Sequence, residues 1–471
     1  METGNNKAKC QKFTSDALVE TMLDLAGYTT DLMGKTILEN SFGTGNILKA
    51  IVARYIKSAN SAGYSKEAVS FGLSRDIYGI ELDKGLFDNC IRELNDIVSQ
   101  YALPAVDWKL FQGNALEIDL NVKFDFIVGN PPYISYKEMD DESRKALKEK
   151  FVSCSAGKFD YCYAFIESAI SLLKDTGKLV QLIPNNIYKN VFAQKLREKL
   201  KVHLSIVYDY PNQKLFDKTL TSVSLFLYEQ DNISDNIQYK NITNKQTRVI
   251  SRKALGDKWT FDSELPNADG TIRFGDVFNA SVSIATLLNE AFLLSERDIQ
   301  EEQIEPDVVY KAVSPRSLQY QTEKYIIFPY KYDGSGLVRF TANEFEKLFP
   351  NATKHLKRFS KELAERDSDK NAAWFEYGRS QALSHINTEK LLVSTITTRK
   401  VEIHKIGKDA IPYSGIYITV KNSDYSLDDA ISVLRSNQFM EYIRRIGISV
   451  NGKSIRITCK DINDFRFVGG Q

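Results

Sequence analysis

The sequence predicts an α/β protein whose N-terminal half is a doubly wound, mostly parallel sheet and whose C-terminal half is a second domain of mixed α+β structure. In the first half, short apolar runs that suit strands alternate with amphipathic stretches that suit helices. Three polar clusters, at 39–46, 113–117 and 130–133, each follow a predicted strand. Because such sheets bind ligands at the carboxyl ends of their strands, we expect the three clusters to meet in one site.

The individual elements can be taken in order along the chain. The spacing of Leu18, Met22 and Leu25 predicts a first helix over 16–27. The segment KTILENSFGTGNILKAIVARYI then predicts a strand, a glycine turn and a helix, and it is followed by a strand over 77–82 and a helix near 84–99. Next, WKLFQGNAL predicts a strand and a turn, and FDFIVGNPPY predicts a strand. A helix over 163–173 and a strand over 177–184 complete the predicted alternation. We expect one domain over 1–240 and another over 250–471, joined by the polar, asparagine-containing stretch 229–247, which suits a linker or an exposed hairpin.

Composition sets broad limits on the protein. A length of 471 residues with 43% hydrophobic and 26% charged residues is ordinary for a globular protein of two or three domains. The sequence has no apolar run approaching the roughly 20 residues that cross a bilayer, and its first residues have no secretory core, so we expect a cytoplasmic location. The five cysteines and four histidines are scattered, and we therefore expect no metal site. A net charge of +1 neither favours nor excludes a nucleic-acid partner.

The first two strands carry residues that suit a cofactor. Gly43 and Gly45 let the backbone turn sharply and approach a ligand, although an ordinary glycine turn would look the same. Glu81 ends the second strand, where a carboxylate can accept hydrogen bonds from ribose hydroxyls. Leu48 stands where a GxGxxG sequence needs its third glycine. This pattern argues against a nicotinamide cofactor and is compatible with S-adenosylmethionine, which has no pyrophosphate.

The tetrapeptide Asn130-Pro131-Pro132-Tyr133 is the most specific pattern in the chain. An exocyclic aromatic amine is a poor nucleophile, and a site that methylates it must hold both N–H groups with acceptors. The Asn130 side-chain oxygen and the Pro131 carbonyl can supply these acceptors, and Pro132 stiffens the loop. Tyr133 offers a ring on which a base can stack. Asn-Pro and Pro-Pro also mark simple turns, so a rigid strand-to-loop turn is the alternative.

The order of these segments resembles a known family. The segments are FTSDALVETMLDL, ILENSFGTGNIL, IYGIELD, GNALEID, NPPY, KFDYCYAFIESAISLL and GKLVQLIPNNIY. Over about residues 12–228 the chain is similar to the gamma-class, TaqI-type adenine-N6 DNA methyltransferases of restriction-modification systems. The resemblance implies a Rossmann-like S-adenosylmethionine-dependent methyltransferase domain over 1–240. It also implies methyl transfer to N6 of an adenine flipped out of double-stranded DNA.

The resemblance also assigns site residues. The cofactor site would be lined by Thr14, Glu39, Gly43, Gly45, Glu81 and Asn114. The catalytic loop would be Asn130, Pro131, Pro132 and Tyr133, and Phe216 would sandwich the flipped base opposite Tyr133. For Phe216, a core phenylalanine is the alternative. Two positions depart from the family, which usually has proline at Asn40 and aspartate at Asn114. We expect Asn40 only to loosen the turn, and Asn114 to weaken cofactor binding because its side chain carries no charge.

The C-terminal half resembles the same group more loosely. The order FGDVFNASVSIATLLNEAFLL, YIIFPY, WFEYGRSQ and NGKSIRI is similar to its specificity domain, which implies a target-recognition domain over 250–471. Basic and polar residues around WFEYGRSQ, TTRK and NGKSIRI suit contacts to phosphates and base edges, although each cluster alone also suits a solvated face.

Other functions stay open at the level of sequence. The same tetrapeptide occurs in RNA and protein-glutamine methyltransferases, and a non-catalytic DNA-binding subunit could keep the fold. Methylation of cytosine N4 usually has serine or aspartate in place of Asn130. We expect the protein to act as a monomer on double-stranded DNA, with any cognate restriction endonuclease on a separate polypeptide.

Overall fold

The computed structural model describes residues 14–216, 219–261, 270–333, 336–450 and 454–469, without the side chains of 212–216, 219–221 and 449. The chain divides into two units, residues 1–264 and 265–471. Within the described ranges, no helix is both long enough and apolar enough to cross a membrane.

The first unit is built on one sheet of nine described strands. The strands are β1 (Ile37–Glu39), β2 (Ile77–Glu81), β3 (Lys109–Gln112), β4 (Phe124–Gly129), β5 (Leu173–Pro184), β6 (Leu204–Phe216), β7 (Thr219–Glu229), β8 (Asn236–Asn241) and β9 (Gln246–Ser251). Their spatial order is β3-β2-β1-β4-β5-β7-β6-β8-β9. Strands β1 to β5 are parallel, and β7 runs antiparallel to both β5 and β6. The carboxyl ends of β1 to β4 therefore meet at one edge, as the predicted parallel sheet requires.

Seven helices are described in the first unit. They are α1 (Asp16–Ala26), α2 (Asn46–Ser61), α3 (Lys66–Asp76), α4 (Lys84–Gln100), α5 (Asp141–Lys150), α6 (Cys162–Ser171) and α7 (Gln194–Lys201). Side chains alternate across the sheet between two cores: Ile37, Val128 and Val180 pack with α1, α2 and α3, whereas Leu38 and Ile127 pack with α6 and α7. Burial on both faces explains why the central strands have near-continuous apolar runs.

Three features of the first unit differ from the sequence prediction. The stretch before β2 contains helix α3, which was not predicted and whose first turn is capped by the Ser65 side chain. Helix α5 was not predicted either. The expected domain boundary at 240 lies inside the sheet, because β8 pairs in parallel with β6 and β9 completes the hairpin. The unit continues beyond this hairpin to Trp259 and Phe261, which are buried against Tyr188.

The second unit has mixed α+β structure, as predicted. Its described strands are β10 (Thr271–Arg273), β11 (Phe278–Val282), β12 (Leu293–Leu294), β13 (Val309–Val313), β14 (Tyr325–Ile327), β15 (Tyr330–Asp333), β16 (Gly336–Arg339), β17 (Lys390–Val393), β18 (Ile396–Thr397), β19 (Ile403–Ile406), β20 (Ala410–Pro412), β21 (Ile416–Val420), β22 (Ile448–Val450), β23 (Ser454–Arg456) and β24 (Arg466–Val468). They form small sheets ordered β11-β21-β17-β19, β12-β14-β13-β20, β18-β23-β22, β10-β24 and β15-β16. Every strand is short, and none of these sheets has the βα alternation of the first unit.

Short helices complete the second unit. They are α8 (Phe274–Val277), α9 (Asn289–Phe292), α10 (Glu296–Glu302), α11 (Pro315–Gln319), α12 (Ala342–Leu348), α13 (Pro350–Lys357), α14 (Ser360–Ala364), α15 (Leu427–Arg435), α16 (Asn437–Ile446) and α17 (Cys459–Asn463). The stretches 342–364 and 427–446 are divided in this way into three and two helices. Pro350 interrupts the first stretch because it cannot donate a backbone N–H, and Ser436 interrupts the second by capping α16 with its side chain.

Candidate active site

A cavity of about 430 Å³ lies at the carboxyl ends of β1 to β4 in the first unit. It is lined by Thr14, Glu39, Asn40, Ser41, Phe42, Gly43, Thr44, Asn46, Ile47, Ile80, Glu81, Leu82, Asp83, Gly113, Asn114, Ala115, Asn130, Pro131, Pro132, Tyr133, Ile134, Glu138, Tyr161 and Phe165. Residues from all three polar clusters of the sequence thus line the same cavity. Its size suits a ligand of moderate mass, since small-molecule sites occupy roughly 300–1,000 Å³.

Glu81 holds the glycine turn against the end of β2. One carboxylate oxygen accepts a hydrogen bond from the Gly43 backbone N–H at 2.8 Å, and the other accepts one from the Asp83 backbone N–H at 2.8 Å. Gly43 has φ of 54°, a left-handed conformation that favours glycine, and an added Cβ there would meet nothing within 4 Å. The carboxylate at the strand end therefore fixes the backbone that lines the cavity, and it retains further lone pairs for a ligand.

Gly45 was assigned to the cofactor site, but it is not among the residues that line the cavity. It has φ of 75°, and a Cβ at this position would overlap the Sγ of Cys90. Its backbone N–H donates to the Phe42 carbonyl at 2.7 Å, which closes the turn before α2. The glycine is thus explained by the left-handed turn and by packing against α4.

Glu39 and Asn40 are the most deeply buried polar residues in the cavity wall, with 1% and 4% of their surface exposed. Among the described residues, neither Glu39 Oε2 nor Asn40 Oδ1 has a hydrogen-bond partner. Burial, reinforced by the nearby carboxylate of Glu81, raises the pKa of Glu39 well above its usual value. Buried acceptors without donors are rare in folded proteins, and here they lie in the wall of a cavity.

Asn114 lies in the turn after β3 and organises it locally. Its side-chain oxygen accepts the Leu116 backbone N–H at 3.1 Å, and its side-chain nitrogen donates to Glu117 at 2.7 Å. Burial raises the pKa of Tyr161, and a hydrogen bond with the Asn114 side chain opposes that rise. The amide that replaces the aspartate of the resembled family is therefore used in capping a turn as well as in lining the cavity.

The Asn-Pro-Pro-Tyr loop is held at both ends. The Asn130 side-chain nitrogen donates to Thr14 Oγ1 at 3.3 Å, which orients the amide and defines its oxygen as the acceptor end. The Ser41 hydroxyl donates to the Asn130 carbonyl at 3.4 Å. At the other end, the Tyr133 hydroxyl donates to the Leu182 carbonyl of β5 at 2.9 Å. These contacts connect the loop to Thr14 just before α1, to Ser41 beside the glycine turn and to strand β5.

The described lining of the cavity is acidic. Besides the buried carboxyl group of Glu39, it contains the carboxylates of Glu81, Asp83 and Glu138, and it contains no lysine, arginine or histidine. Such a wall favours a cationic ligand over an anionic one. Across the described ranges, no group of three or more histidine, cysteine, aspartate or glutamate side chains is arranged to hold a metal ion.

Several lining residues were not singled out from the sequence. Phe42, Ile80, Tyr161 and Phe165 supply apolar and aromatic wall, although each lies within a segment that carried the family resemblance. Their spacing looks like that of core residues, and only the folded sheet edge distinguishes them. The side chain of Phe216, which ends β6, lies outside the described residues, so its assignment stays a prediction.

The predicted basic clusters of the second unit have different environments. In WFEYGRSQ, Glu376 is 2% exposed and forms a two-point ion pair with Arg339, with N···O distances of 2.7 and 2.6 Å. Tyr377 is buried and donates to the Ile327 carbonyl at 2.8 Å. The expectation that this segment contacts phosphates and base edges, or forms a solvated face, is therefore wrong for Glu376 and Tyr377, which pack inside the unit.

The other two basic clusters come together. Strand β18, whose Thr397 begins TTRK, pairs antiparallel with β23, which lies in NGKSIRI. The Thr398 and Ser454 hydroxyls are hydrogen-bonded at 3.0 Å. Arg399 and Arg456 are exposed beside this contact, and in the described part of the chain neither side chain makes an ion pair or a hydrogen bond. Two segments that are far apart in sequence therefore present their cations on one small sheet.

Comparison with known proteins agrees with this architecture. Residues 56–216 match the family model of the Eco57I restriction-modification methylase. The chain is 27% identical over 267 residues to the type II methyltransferase M.BstVI of Geobacillus stearothermophilus, covering 53% of this chain and 46% of that protein. It is 28% identical over 263 residues to M.PaeR7I of Pseudomonas aeruginosa, covering 54% and 42%. The aligned part spans less than half the length of these two relatives.

Among solved structures, the type IIL restriction-modification enzyme MmeI in complex with DNA covers 95% of this chain and 64% of its own, with a TM-score of 0.59 and 15% identity. At that identity the likeness concerns the fold. In sequence, the first unit is thus similar to the methyltransferases of type II restriction-modification systems, and it has the predicted fold of S-adenosylmethionine-dependent methyltransferases.

Proposed function

We propose that the protein is a site-specific DNA methyltransferase that transfers a methyl group from S-adenosylmethionine to N6 of an adenine in double-stranded DNA. One observation carries the proposal. The glycine turn, Glu81 and the Asn-Pro-Pro-Tyr loop line a single acidic cavity at the carboxyl edge of a parallel sheet. The sequence similarity to type II methyltransferases supports the same reaction class.

The cavity fits the proposed cofactor. S-adenosylmethionine carries a sulfonium and an ammonium, and when bound it supplies an activated methyl group. Its cationic character suits the acidic wall, and the buried acceptors Glu39 Oε2 and Asn40 Oδ1 need a donor that a ligand can provide. Glu81 would bind ribose hydroxyls, while Thr14, Gly43 and Asn114 would line the remainder of the site.

Asn130 and Pro131 would act on the target base. The Asn130 amide oxygen and the Pro131 carbonyl accept hydrogen bonds from the two N–H groups of the adenine amine and favour a pyramidal nitrogen, whose lone pair is then available for attack. The bond from Asn130 to Thr14 preorganises this acceptor before the base arrives. Tyr133, fixed through its hydroxyl on β5, offers one face for stacking, and Phe216 would offer the other.

DNA contact would fall to the second unit. Its exposed Arg399 and Arg456 suit phosphate contacts, and the base reaches the first unit's cavity only after it leaves the duplex, at a cost of a few kcal/mol. We extend the proposal to the gamma class, to action as a monomer on DNA and to a cognate restriction endonuclease on another polypeptide.

The proposal is tested by incubating the protein with methyl-labelled S-adenosylmethionine and mixed genomic DNA, followed by nucleoside analysis. Label in N6-methyladenine of DNA supports it. Label in N4-methylcytosine, RNA or protein instead would refute the substrate while retaining the amine chemistry. Binding of DNA without any transfer would indicate a non-catalytic DNA-binding subunit.

A further inference from the structure

Asn40 combines three properties that a turn-forming residue does not need. It is 4% exposed, it lies in the cavity wall, and its Oδ1 has no hydrogen-bond partner within the described ranges. An amide oxygen that is buried without a donor destabilises the folded protein, because it has lost its hydrogen bonds to water. Because this acceptor belongs to a residue of the cavity wall, a donor on the ligand can supply its missing hydrogen bond.

The position of Asn40 limits which ligand group it can meet. Continuing the register in which Leu38 pairs with Ile127, Asn40 lies level with Gly129, the residue before Asn130. A Cβ on Gly129 would come within 3.3 Å of Asn40 Oδ1, so this glycine leaves the space into which the amide projects. Asn40 is thus at the β1–β4 end of the cavity, whereas Glu81 is at the end of β2.

Chemistry then selects the partner of this acceptor. Of the two cationic groups of S-adenosylmethionine, the sulfonium has no N–H or O–H to donate, whereas the α-ammonium has three N–H donors. Glu39 adds a buried carboxyl directly before Asn40, and the described lining contains no cation that could compete. Burial raises the pKa of Glu39 and so favours its protonated form. The Asn40 amide does not titrate, and its oxygen remains an acceptor.

We propose that Asn40 is a cofactor-binding residue whose side-chain oxygen accepts a hydrogen bond from the ammonium of the methionine portion of S-adenosylmethionine. The inference rests on the proposed function. It replaces the expectation that Asn40 only loosens the turn, and it gives the departure from the family's proline a role, because proline has no side-chain acceptor. Asn40 would act together with Glu39 on the same group.

The test compares ligands that differ only at this end of the cofactor. Binding is measured by calorimetry for S-adenosylhomocysteine, for 5′-deoxy-5′-(3-aminopropylthio)adenosine, which keeps the amine but lacks the carboxylate, and for 5′-methylthioadenosine, which lacks both. Asn40→Leu, similar in size but without an acceptor, should weaken the first two ligands about tenfold or more and leave the third unchanged. Asn40→Asp retains acceptors and should keep the affinity for both amine-bearing ligands.

Each outcome has a distinct meaning. Equal losses for all three ligands, or no loss for any, would overturn the assignment of Asn40 to the ammonium. Binding of 5′-methylthioadenosine also shows that the variant has folded. Asn60→Ala, an exposed asparagine on α2, is the matched control and should bind all three ligands as the unaltered protein does. If the unaltered protein binds none of them, the proposed cofactor itself is wrong, which is a separate failure.

Discussion

The loop 130–133 of the first unit and the segment 374–381 of the second are both polar and aromatic motifs, yet they lie in opposite environments. The loop follows the carboxyl end of β4 and lines a cavity. The segment carries Glu376 and Tyr377 into the interior, where Arg339 and the Ile327 carbonyl are their partners. Composition alone does not distinguish the two.

The difference comes from backbone topology. A parallel sheet delivers every residue that follows a strand to the same edge, so polar residues there gather around a ligand. The second unit has several small sheets and no such common edge. The buried polar groups of Glu376 and Tyr377 are instead paired with other groups of the same unit, as burial requires. Substitutions in and around the two motifs should therefore have different effects, on methyl transfer in the first unit and on stability in the second.

Asn130→Ala should produce the largest effect, because it removes the proposed acceptor for the target amine. We expect methyl transfer to fall by about 100-fold or more, as it does when one preorganised hydrogen-bonding group is lost, with DNA affinity nearly unchanged. Single-turnover transfer and a DNA-binding titration measure the two effects. Weakened DNA binding with normal methyl transfer would contradict the assignment of Asn130 as the acceptor for the target amine.

Arg339→Met should reveal the structural role of the second motif. Removing the guanidinium leaves the carboxylate of Glu376, which is 2% exposed, without its charge partner. The free energy of unfolding should fall by about 3 kcal/mol. Denaturant unfolding can be followed by the fluorescence of Trp374, the tryptophan of the second unit.

The matched control for this variant is Arg297→Met. Arg297 pairs with Glu301 on the exposed helix α10, and such surface pairs contribute less than about 1 kcal/mol. If both variants lose the same stability, the buried ion pair is not what holds the segment.

Phe216→Ala should weaken transfer less than Asn130→Ala does. Loss of one aromatic stacking surface removes about 1–3 kcal/mol of base binding, so we expect transfer on duplex DNA to fall about tenfold. Phe71→Ala is the control, since Phe71 is 66% exposed on α3. An unchanged rate would remove Phe216 from the site.

Arg399→Ala and Arg456→Ala should change DNA affinity rather than chemistry. Each removes one proposed phosphate contact, so the slope of log affinity against log salt concentration should become shallower by about 1. Transfer at saturating DNA should stay constant. Binding titrations at several salt concentrations measure the slope. Slopes equal to that of the Arg297→Met control would show that Arg399 and Arg456 do not contact the DNA.

The first unit's fold was largely predictable from sequence because strands and helices alternate and their strand-end residues must share an edge. Its cavity contains all of the predicted cofactor and loop residues that are described except Gly45, which packs against Cys90 instead. Helix α3 was not predicted because its hydrophobic periodicity is weak, although Ser65 provides a recognisable cap. Local patterns were therefore sufficient where topology imposed a single arrangement.

The second unit was less predictable because its decisive contacts are long-range. The partner of Glu376 is Arg339, 37 residues earlier, and β18 pairs with β23 across more than fifty residues. No spacing rule relates such segments. The same limit applies to Asn40, whose burial without a donor becomes visible only when Gly129 lies beside it.

Asp160 gives the finest test, because it is a largely buried carboxyl that, unlike Glu376, has no guanidinium beside it in the described structure. Burial raises the pKa of Asp160 to about 6, with a hydrogen bond from Asn186 opposing the shift and Glu138 adding to it. The folded state therefore holds this proton more tightly than the unfolded state does. Its contribution to stability is complete below the unfolded pKa near 3.8 and is lost as the pH rises through about 6.

Asp160→Asn should consequently stabilise the protein relative to the unaltered chain at pH 8, because the amide fills the same space without a charge to bury. The advantage should shrink as the pH is lowered from about 6 towards about 4, where the aspartate itself is neutral. Denaturant unfolding at pH 8 and at pH 4.5 measures the two differences. Glu376→Gln, the same change at the ion-paired carboxyl, should instead destabilise the protein at pH 8 because it leaves Arg339 without its charge partner. An advantage of Asp160→Asn that is equal at both pH values would mean that the carboxyl does not titrate between them.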